Sequence, residues 1–174
     1  MIVAHYRSEE LDEIAALVNS AYRGDASRAG WTSEAELLGG QRTDAATLRA
    51  DLAAKPGATI LTMREVAEGA ILASVWLEPA DAGVCYLGML TVNPQRQADG
   101  FGRFLLGEAE RLAAATGARA MQLTVIEQRE SLIAWYERRG YRRTGAIKPF
   151  PYGDERVGKP MREGLRLAVF EKSL

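Results

Sequence analysis

The chain has 174 residues, of which 47% are hydrophobic and 26% charged, and 22 basic against 23 acidic side chains leave a formal net charge of -1. That length suits one domain, residues 1–174, able to bury roughly two-thirds of its unfolded surface, and the charge balance lacks the basic excess expected of a nucleic-acid binder. A single cysteine, Cys85, excludes an intrachain disulfide and fits a reducing compartment, and with His5 as the only histidine the usual zinc ligand set cannot be assembled.

Ile2 to His5 reads as a short strand. No basic lead and apolar core precede or follow it, so no signal peptide is expected. The longest apolar run, near Ala70 to Leu77, is far shorter than the ~20 residues of a membrane-spanning helix. A cytoplasmic protein without membrane or nucleic-acid partners is therefore expected. Ser8 is placed to cap a helix with Glu9 and Glu10 in its first turn, and Leu11, Ile14, Ala15, Val18 and Tyr22 make its apolar face. Gly24 to Gly30 reads as a loop, Ser33 to Leu38 as a short helix stopped by Gly39-Gly40, and Asp44 to Ala54 as another stopped by Lys55-Pro56-Gly57.

Three strand signals follow, Ala58 to Arg64, Gly69 to Leu77 and Val84 to Val92, spaced as an antiparallel meander with turns at 65–68 and 78–83. Cys85 falls within the third, flanked by Val84 and Tyr86, which favours a buried thiol over a nucleophile. A helix from Gly102 to Ala115, a strand from Ala120 to Ile126 and a helix from Glu130 to Arg139 capped by Gly140 come next. Thr144 to Gly164 carries three prolines and four glycines and reads as a long loop, before a closing strand, Leu165 to Glu171. Val84–Val92 and Ala120–Ile126, joined through a helix, should be parallel neighbours. If they diverge, a slot opens between them.

The segment with most chemical content joins that strand to the helix: Gln97-Ala98-Asp99-Gly100-Phe101-Gly102. Backbone N–H groups at a helix N-terminus favour an anion. A Walker loop is excluded because no Gly-Lys-Ser/Thr follows, and a dinucleotide loop because the third glycine and the downstream acid are missing. A plain helix-entry turn remains the alternative. The whole pattern, an apolar strand, then Val92-Asn93-Pro94, then Gln-x-x-Gly-x-Gly and an apolar helix, resembles the acetyl-CoA loop of the GNAT superfamily of N-acetyltransferases. A second stretch, Trp135-Tyr136-Glu137-Arg138-Arg139-Gly140-Tyr141, resembles that superfamily's later helix motif. Asp99 and Arg129 depart from the family pattern, the latter standing where many members have asparagine.

The resemblance implies a mixed α+β fold: a mostly antiparallel sheet with a parallel strand pair splayed around an acyl-CoA slot, flanked by helices. It implies acetyl-CoA as co-substrate, no metal, an amine acceptor, a backbone N–H near Leu90, Thr91 or Val92 for the thioester carbonyl, and often a homodimer. Coenzyme contacts are expected from those three residues and from Gln97, Ala98, Asp99, Gly100, Phe101, Gly102, Arg103, Arg129, Trp135 and Tyr136. Tyr136 takes the place of the general acid; packing within its helix is the alternative. Glu127, at a strand end where the slot should open, is a candidate base, with Glu78 second; a solvated strand end is the plainer reading of each. Acceptor contacts are expected from Trp31, Arg42, Glu78, Glu127, Arg129, Phe150 and Tyr152, with Arg28, Arg42, Arg129 or Arg156 available to a carboxylate. Two readings follow: an N-acetyltransferase for a small molecule (amino-acid-like or polyamine-like) or a protein amine, or a non-catalytic acyl-CoA-binding module on the same fold.

Overall fold

Alternation of apolar side chains along three consecutive strands builds the middle of a sheet, and the helices on either side are placed by which face each strand turns to them. The computed structural model describes residues 1–80, 83–154 and 158–174. Part of the turn expected at 78–83, together with Glu155 and Arg156, lies outside them. The strands are β1 (Ile2–His5), β2 (Leu38–Gly39), β3 (Thr59–Arg64), β4 (Ala73–Ala80), β5 (Val84–Val92), β6 (Ala120–Ile126), β7 (Arg142–Pro149), β8 (Lys159–Pro160) and β9 (Arg166–Ser173). The α-helices are α1 (Leu11–Tyr22), α2 (Gly24–Ser27), α3 (Ala45–Ala54), α4 (Phe101–Ala115) and α5 (Glu130–Glu137). Seven strands form one sheet in the order β1-β3-β4-β5-β6-β9-β7, antiparallel except for β5 and β6, while β2 and β8 pair separately. The fold is the expected mixed α+β arrangement.

One sheet face buries Leu61, Met63, Val75, Leu77 and Leu87 against Leu105, Leu106 and Ala109 of α4 and Ile133 of α5. The other buries Ile60 and Trp76 against Leu11, Ile14 and Val18 of α1 and Leu48 of α3. Asp44 caps α3 by accepting the Thr47 N–H at 2.7 Å, so that helix begins where the sequence places it. Cys85 is buried, which pushes its thiol pKa up. No described helix is long and apolar enough to cross a membrane.

Several boundaries differ from expectation for physical reasons. Ser8 lies within a single 3-10 turn, Ser8–Glu10, where Glu10 accepts the Arg7 N–H at 2.8 Å. Gly24–Ser27 forms a helical turn rather than continuing as loop, entered through Gly24 at φ 67°. Ser33 to Leu38 is no helix. Leu37 and Leu38 both donate to the Glu34 carbonyl, making one turn, after which Leu38–Gly39 pairs with Lys159–Pro160. β4 starts late because the Ile71 N–H is taken by Glu13 (2.6 Å) and the Leu72 N–H by the Met63 carbonyl (2.9 Å). The first six residues of the loop expected over Thr144–Gly164 belong to the edge strand β7 and Lys159–Pro160 forms β8, while the other described residues of that stretch are irregular. All eight residues of β7 are exposed, so it carries no apolar alternation, and Gly145 (φ 87°) sits in the register shift between Arg143 and Ile147.

Met121, fully buried on β6, packs beneath α4 and makes no polar contact that would complicate its removal. Met121→Ala should cost about 2–5 kcal/mol, seen as a lower urea midpoint at unchanged slope.

Candidate active site

Strands β5 and β6 pair in parallel over only three positions, Val84↔Ala120, Cys85↔Met121 and Tyr86↔Gln122. Beyond them β6 stays with β9 along its whole length, whereas β5 stays with β4 through a register shift between Ser74 and Trp76. Within that irregular stretch Met89 adopts φ 46°, a left-handed conformation costing roughly 1–2 kcal/mol for a side chain other than glycine. The strands therefore part. The hydroxyls of Tyr86 and Thr124, 3.1 Å apart, link the two strands just past the point where their pairing ends. N–H groups of β5 that face β6 past this point lose their strand partner.

At the mouth of the gap, Asn93 accepts the Gln95 N–H (3.0 Å) and Pro94–Asp99 makes a 3-10 turn. Gly100, at φ 81°, then turns the chain into α4. No side chain caps α4, and its first intrahelical bond is donated by Phe104 to Gly100 (3.0 Å). The N–H groups of Phe101, Gly102 and Arg103 are thus available to a ligand. A Cβ on Gly102 would lie 3.4 Å from Val92 and 3.6 Å from Trp135, so glycine keeps this wall low.

Two cavities occupy the gap. The first, about 260 Å³, is walled by Val92 at the end of β5, by Gln97, Ala98, Gly100, Gly102 and Arg103 from the loop and α4, by Trp135 of α5 and Arg139 just after it, and by Trp31 and Thr32. The second, about 490 Å³, lies against Arg42, Thr43, Thr47, Lys55, Glu78, Asp51, Phe150 and the far ends of β5 and β6. Tyr22, Leu90, Arg129, Leu132 and Tyr136 line both. The two cavities meet there.

At that junction the Tyr22 hydroxyl donates to the Leu90 carbonyl at 2.6 Å. Tyr136 is 6% exposed, packed edge-on between Trp135 (5.0 Å) and Tyr141 (5.5 Å). Burial, and then the neighbouring Tyr22, drive its hydroxyl pKa far above the ordinary 10.0 despite the opposing charges of Arg129 and Arg139. Among the described residues nothing bonds that hydroxyl. Glu34 stands beside them, 8% exposed, its Oε1 taken by Arg129 Nη1 at 2.7 Å and its Oε2 by Arg23. Burial by itself would raise the Glu34 pKa, but Arg129 and Arg23 outweigh it and hold the carboxyl below its usual value. Arg129 also donates to the Thr32 carbonyl at 2.6 Å, tying α5 to the N-terminal segment. Gln97 completes the strap: its Oε1 accepts the Trp31 N–H at 2.8 Å and its Nε2 donates to the Thr32 hydroxyl at 2.7 Å.

The residues singled out from the sequence divide accordingly. Leu90, Val92, Gln97, Ala98, Gly100, Gly102, Arg103, Arg129, Trp135 and Tyr136 gather on the first cavity; Arg42, Glu78, Phe150 and Arg129 gather on the second. Thr91 is buried, its hydroxyl donating to the Met89 carbonyl (2.9 Å). Asp99 turns away into an ion pair with Arg96, whose guanidinium also lies 4.8 Å from the Phe101 ring. Trp31 stands on the first cavity, 6.2 Å from Trp135, and not on the second. Tyr152 lines neither, its hydroxyl accepting the Leu165 N–H at 2.8 Å. Glu127 lines neither: its carboxylate is drawn to Arg166 (2.7 Å) and Arg143 (3.5 Å) on the strands across from the gap. Sequence reasoning missed Tyr22, Glu34, Leu132 and Arg139, of which Tyr22 and Leu132 sit at helical spacing that reads as core.

The model of the family described as "Acetyltransferase (GNAT) family" matches residues 11–141. A search of curated proteins finds no match. Among solved structures, the chain resembles a ribosomal-protein-alanine N-acetyltransferase from Brucella melitensis at TM-score 0.72 and 17% identity, covering 100% of both chains. It also resembles yncA from Salmonella typhimurium, solved with its cofactor acetyl-CoA (TM-score 0.70, 19% identity, 100% and 94% coverage). An IAA acetyltransferase from Bacillus cereus aligns at TM-score 0.68 and 12% identity over 99% of each chain.

Removing the shared carboxylate tests this cluster. Glu34→Gln leaves Arg23 and Arg129 buried against each other and should cost about 3–5 kcal/mol. Because Glu34 has a depressed pKa when folded, its contribution is present above the ordinary value of 4.5 and lost as pH falls through the lower folded value. The wild-type chain should lose thermal stability on acidification below about pH 4.5, and the variant should lose less over the same range.

Proposed function

The chain belongs to the GNAT acetyltransferase family, and from that premise we propose that residues 1–174 act as one N-acetyltransferase domain, carrying an acetyl group directly from acetyl-CoA to a primary amine. The observation that carries this reading is the meeting of two cavities at Tyr136, Leu90, Tyr22, Leu132 and Arg129. The first cavity is the coenzyme side. Its open α4 N-terminus suits a pyrophosphate, with Arg103 and Arg139 adding positive charge, and the groove toward Leu90 leads the thioester to the junction. The acetyl-thioester supplies the activated carbonyl. The second cavity receives the amine.

Residues of the chain then have separable tasks. Backbone N–H groups of β5 at the splay polarise the thioester carbonyl. The amine nitrogen bonds to that carbonyl carbon, the C–S bond breaks, the departing thiolate takes the Tyr136 proton, and the proton that the nitrogen sheds as the amide forms restores the Tyr136 hydroxyl by way of water. The amine enters by losing its own proton. Glu34 is a poor acceptor for it, being held ionised between two guanidiniums, and Glu127 is turned aside. Glu78 lines the cavity, but its Oε2 accepts from Lys55 (2.7 Å) and from the Trp76 indole (3.2 Å). Water in the open acceptor cavity is therefore the proposed proton acceptor. A protonatable tyrosine at the junction supports catalysis over a purely acyl-CoA-binding role.

Coenzyme A should raise the melting temperature in a concentration-dependent way. Tyr136→Phe should lower kcat for thiol release from acetyl-CoA about 100-fold or more, with the coenzyme's stabilising effect retained. Unchanged turnover would remove the acid role. Since burial raises the Tyr136 pKa above 10.0, the proton is in place throughout the working range. Kcat/KM should accordingly climb with pH through the acceptor's own amine titration and show no descending limb below pH 10.

A further inference from the structure

Resting on the assignment of the second cavity to the acceptor, we propose that the acceptor is a small amino acid whose carboxylate is bound by Arg42. The charged lining of this cavity is mixed, with Arg42, Lys55 and Arg129 facing Glu34, Asp51, Glu78 and Asp154. At the junction end Glu34 is set among three arginines, Arg23, Arg42 and Arg129, of which Arg42 and Arg129 line the cavity. Both Glu34 oxygens are spoken for, one by Arg23 and the other by Arg129. Arg42 reaches Glu34 and Tyr22 only as a charge at a distance. Among the described residues its guanidinium makes neither ion pair nor hydrogen bond. The neighbouring Asp44 does not supply one, because its oxygens accept from the Thr47 N–H (2.7 Å) and the Gln41 amide (3.0 Å).

The backbone under Arg42 is nonetheless fixed. Asn19 on α1 accepts the Arg42 N–H at 2.6 Å and the Thr43 N–H at 3.3 Å, and donates back to the Thr43 carbonyl at 2.8 Å. An arginine on an anchored backbone, lining a cavity and making no ion pair or hydrogen bond of its guanidinium among the described residues, is suited to take a carboxylate from a ligand. With a carboxylate on Arg42, the adjacent amine lies toward Tyr22 and Tyr136. The nearby guanidiniums then also favour the neutral, nucleophilic form of that amine.

The test compares amino acids with their own carboxamides as acceptors, by thiol release from acetyl-CoA, in wild type and in Arg42→Gln. At least one amino acid should exceed its amide by roughly tenfold or more in kcat/KM. Arg42→Gln should erase that preference by raising KM for the acid far more than for the amide, with the melting shift caused by coenzyme A unchanged, and Arg42→Lys should recover part of it. Amides equal to or better than acids, or a preference that survives Arg42→Gln, would overturn the proposal. If no member of either set is acetylated while coenzyme A still stabilises the protein, the carboxylate inference falls alone. If coenzyme A has no effect either, the transferase reading above falls with it.

Discussion

Two adjacent parallel strands can stay together only while each is free to follow the other, and β5 and β6 are not. β6 is held by β9 at every residue from Ala120 to Ile126, and β5 by β4 from Val84 to Val92, with an extra residue taken up near Met89. Each outer pairing is antiparallel and long; the inner one lasts three positions. Once the longer pairings win, separation past Tyr86 is forced, and backbone groups that would complete a ladder become available to a ligand. Both helices that wall the gap stem from the parting strands: α4 follows β5 through the glycine turn, and α5 follows β6. The slot is a consequence of sheet pairing, and the side chains only furnish it.

What furnishes it is mostly charge held against charge. A buried ion pair is weak evidence for stability, since removing charges from water costs several kcal/mol each. Its value here is positional. Glu34 ties Arg23, just after α1, to Arg129, at the start of α5, across a long stretch of chain, and the Thr32 carbonyl adds a second tie. The N-terminal segment is thereby fastened across both cavities, and Trp31 is carried onto Trp135. Arg96 does a similar task at the loop by turning Asp99 aside, which removes the like-charge conflict that an acid beside a phosphate site would create.

The sequence foretold best what depends on backbone periodicity and on motif spacing. The order of the main strands, the α4 entry at Gly100 and the placement of Tyr136 were all legible, because alternation, a glycine turn and helical spacing leave local marks. Segments whose conformation is decided by distant partners were not. Ser33 to Leu38 has a helical composition, yet the ion pairs at Glu34 and the pairing of Leu38 with Pro160 override it. The Thr144 segment reads as loop because an edge strand with every residue exposed has no apolar alternation to show. Glu127 sits at a strand end as expected, but nothing local reveals that Arg143 and Arg166 will capture it. Tyr22 and Leu132 were hidden differently, since a residue facing a cavity has the same spacing as one facing a core.

Burial of Tyr136 raises the pKa of the group that, in the proposed role, must give its proton up, which by itself counts against donation. What sets the transfer is a difference between two acids in one environment. Desolvation penalises a phenolate at this site, and it penalises a thiolate leaving the same junction, so much of the penalty cancels between donor and acceptor. Arg129 and Arg139 then favour whichever anion forms nearby, and both stand on the walls that Tyr136 shares. With nothing among the described residues bonding the hydroxyl, its proton could turn toward the leaving sulfur in the proposed transfer. In that proposed role, the packing that disfavours the Tyr136 phenolate also holds its proton on the wall that the leaving sulfur would face.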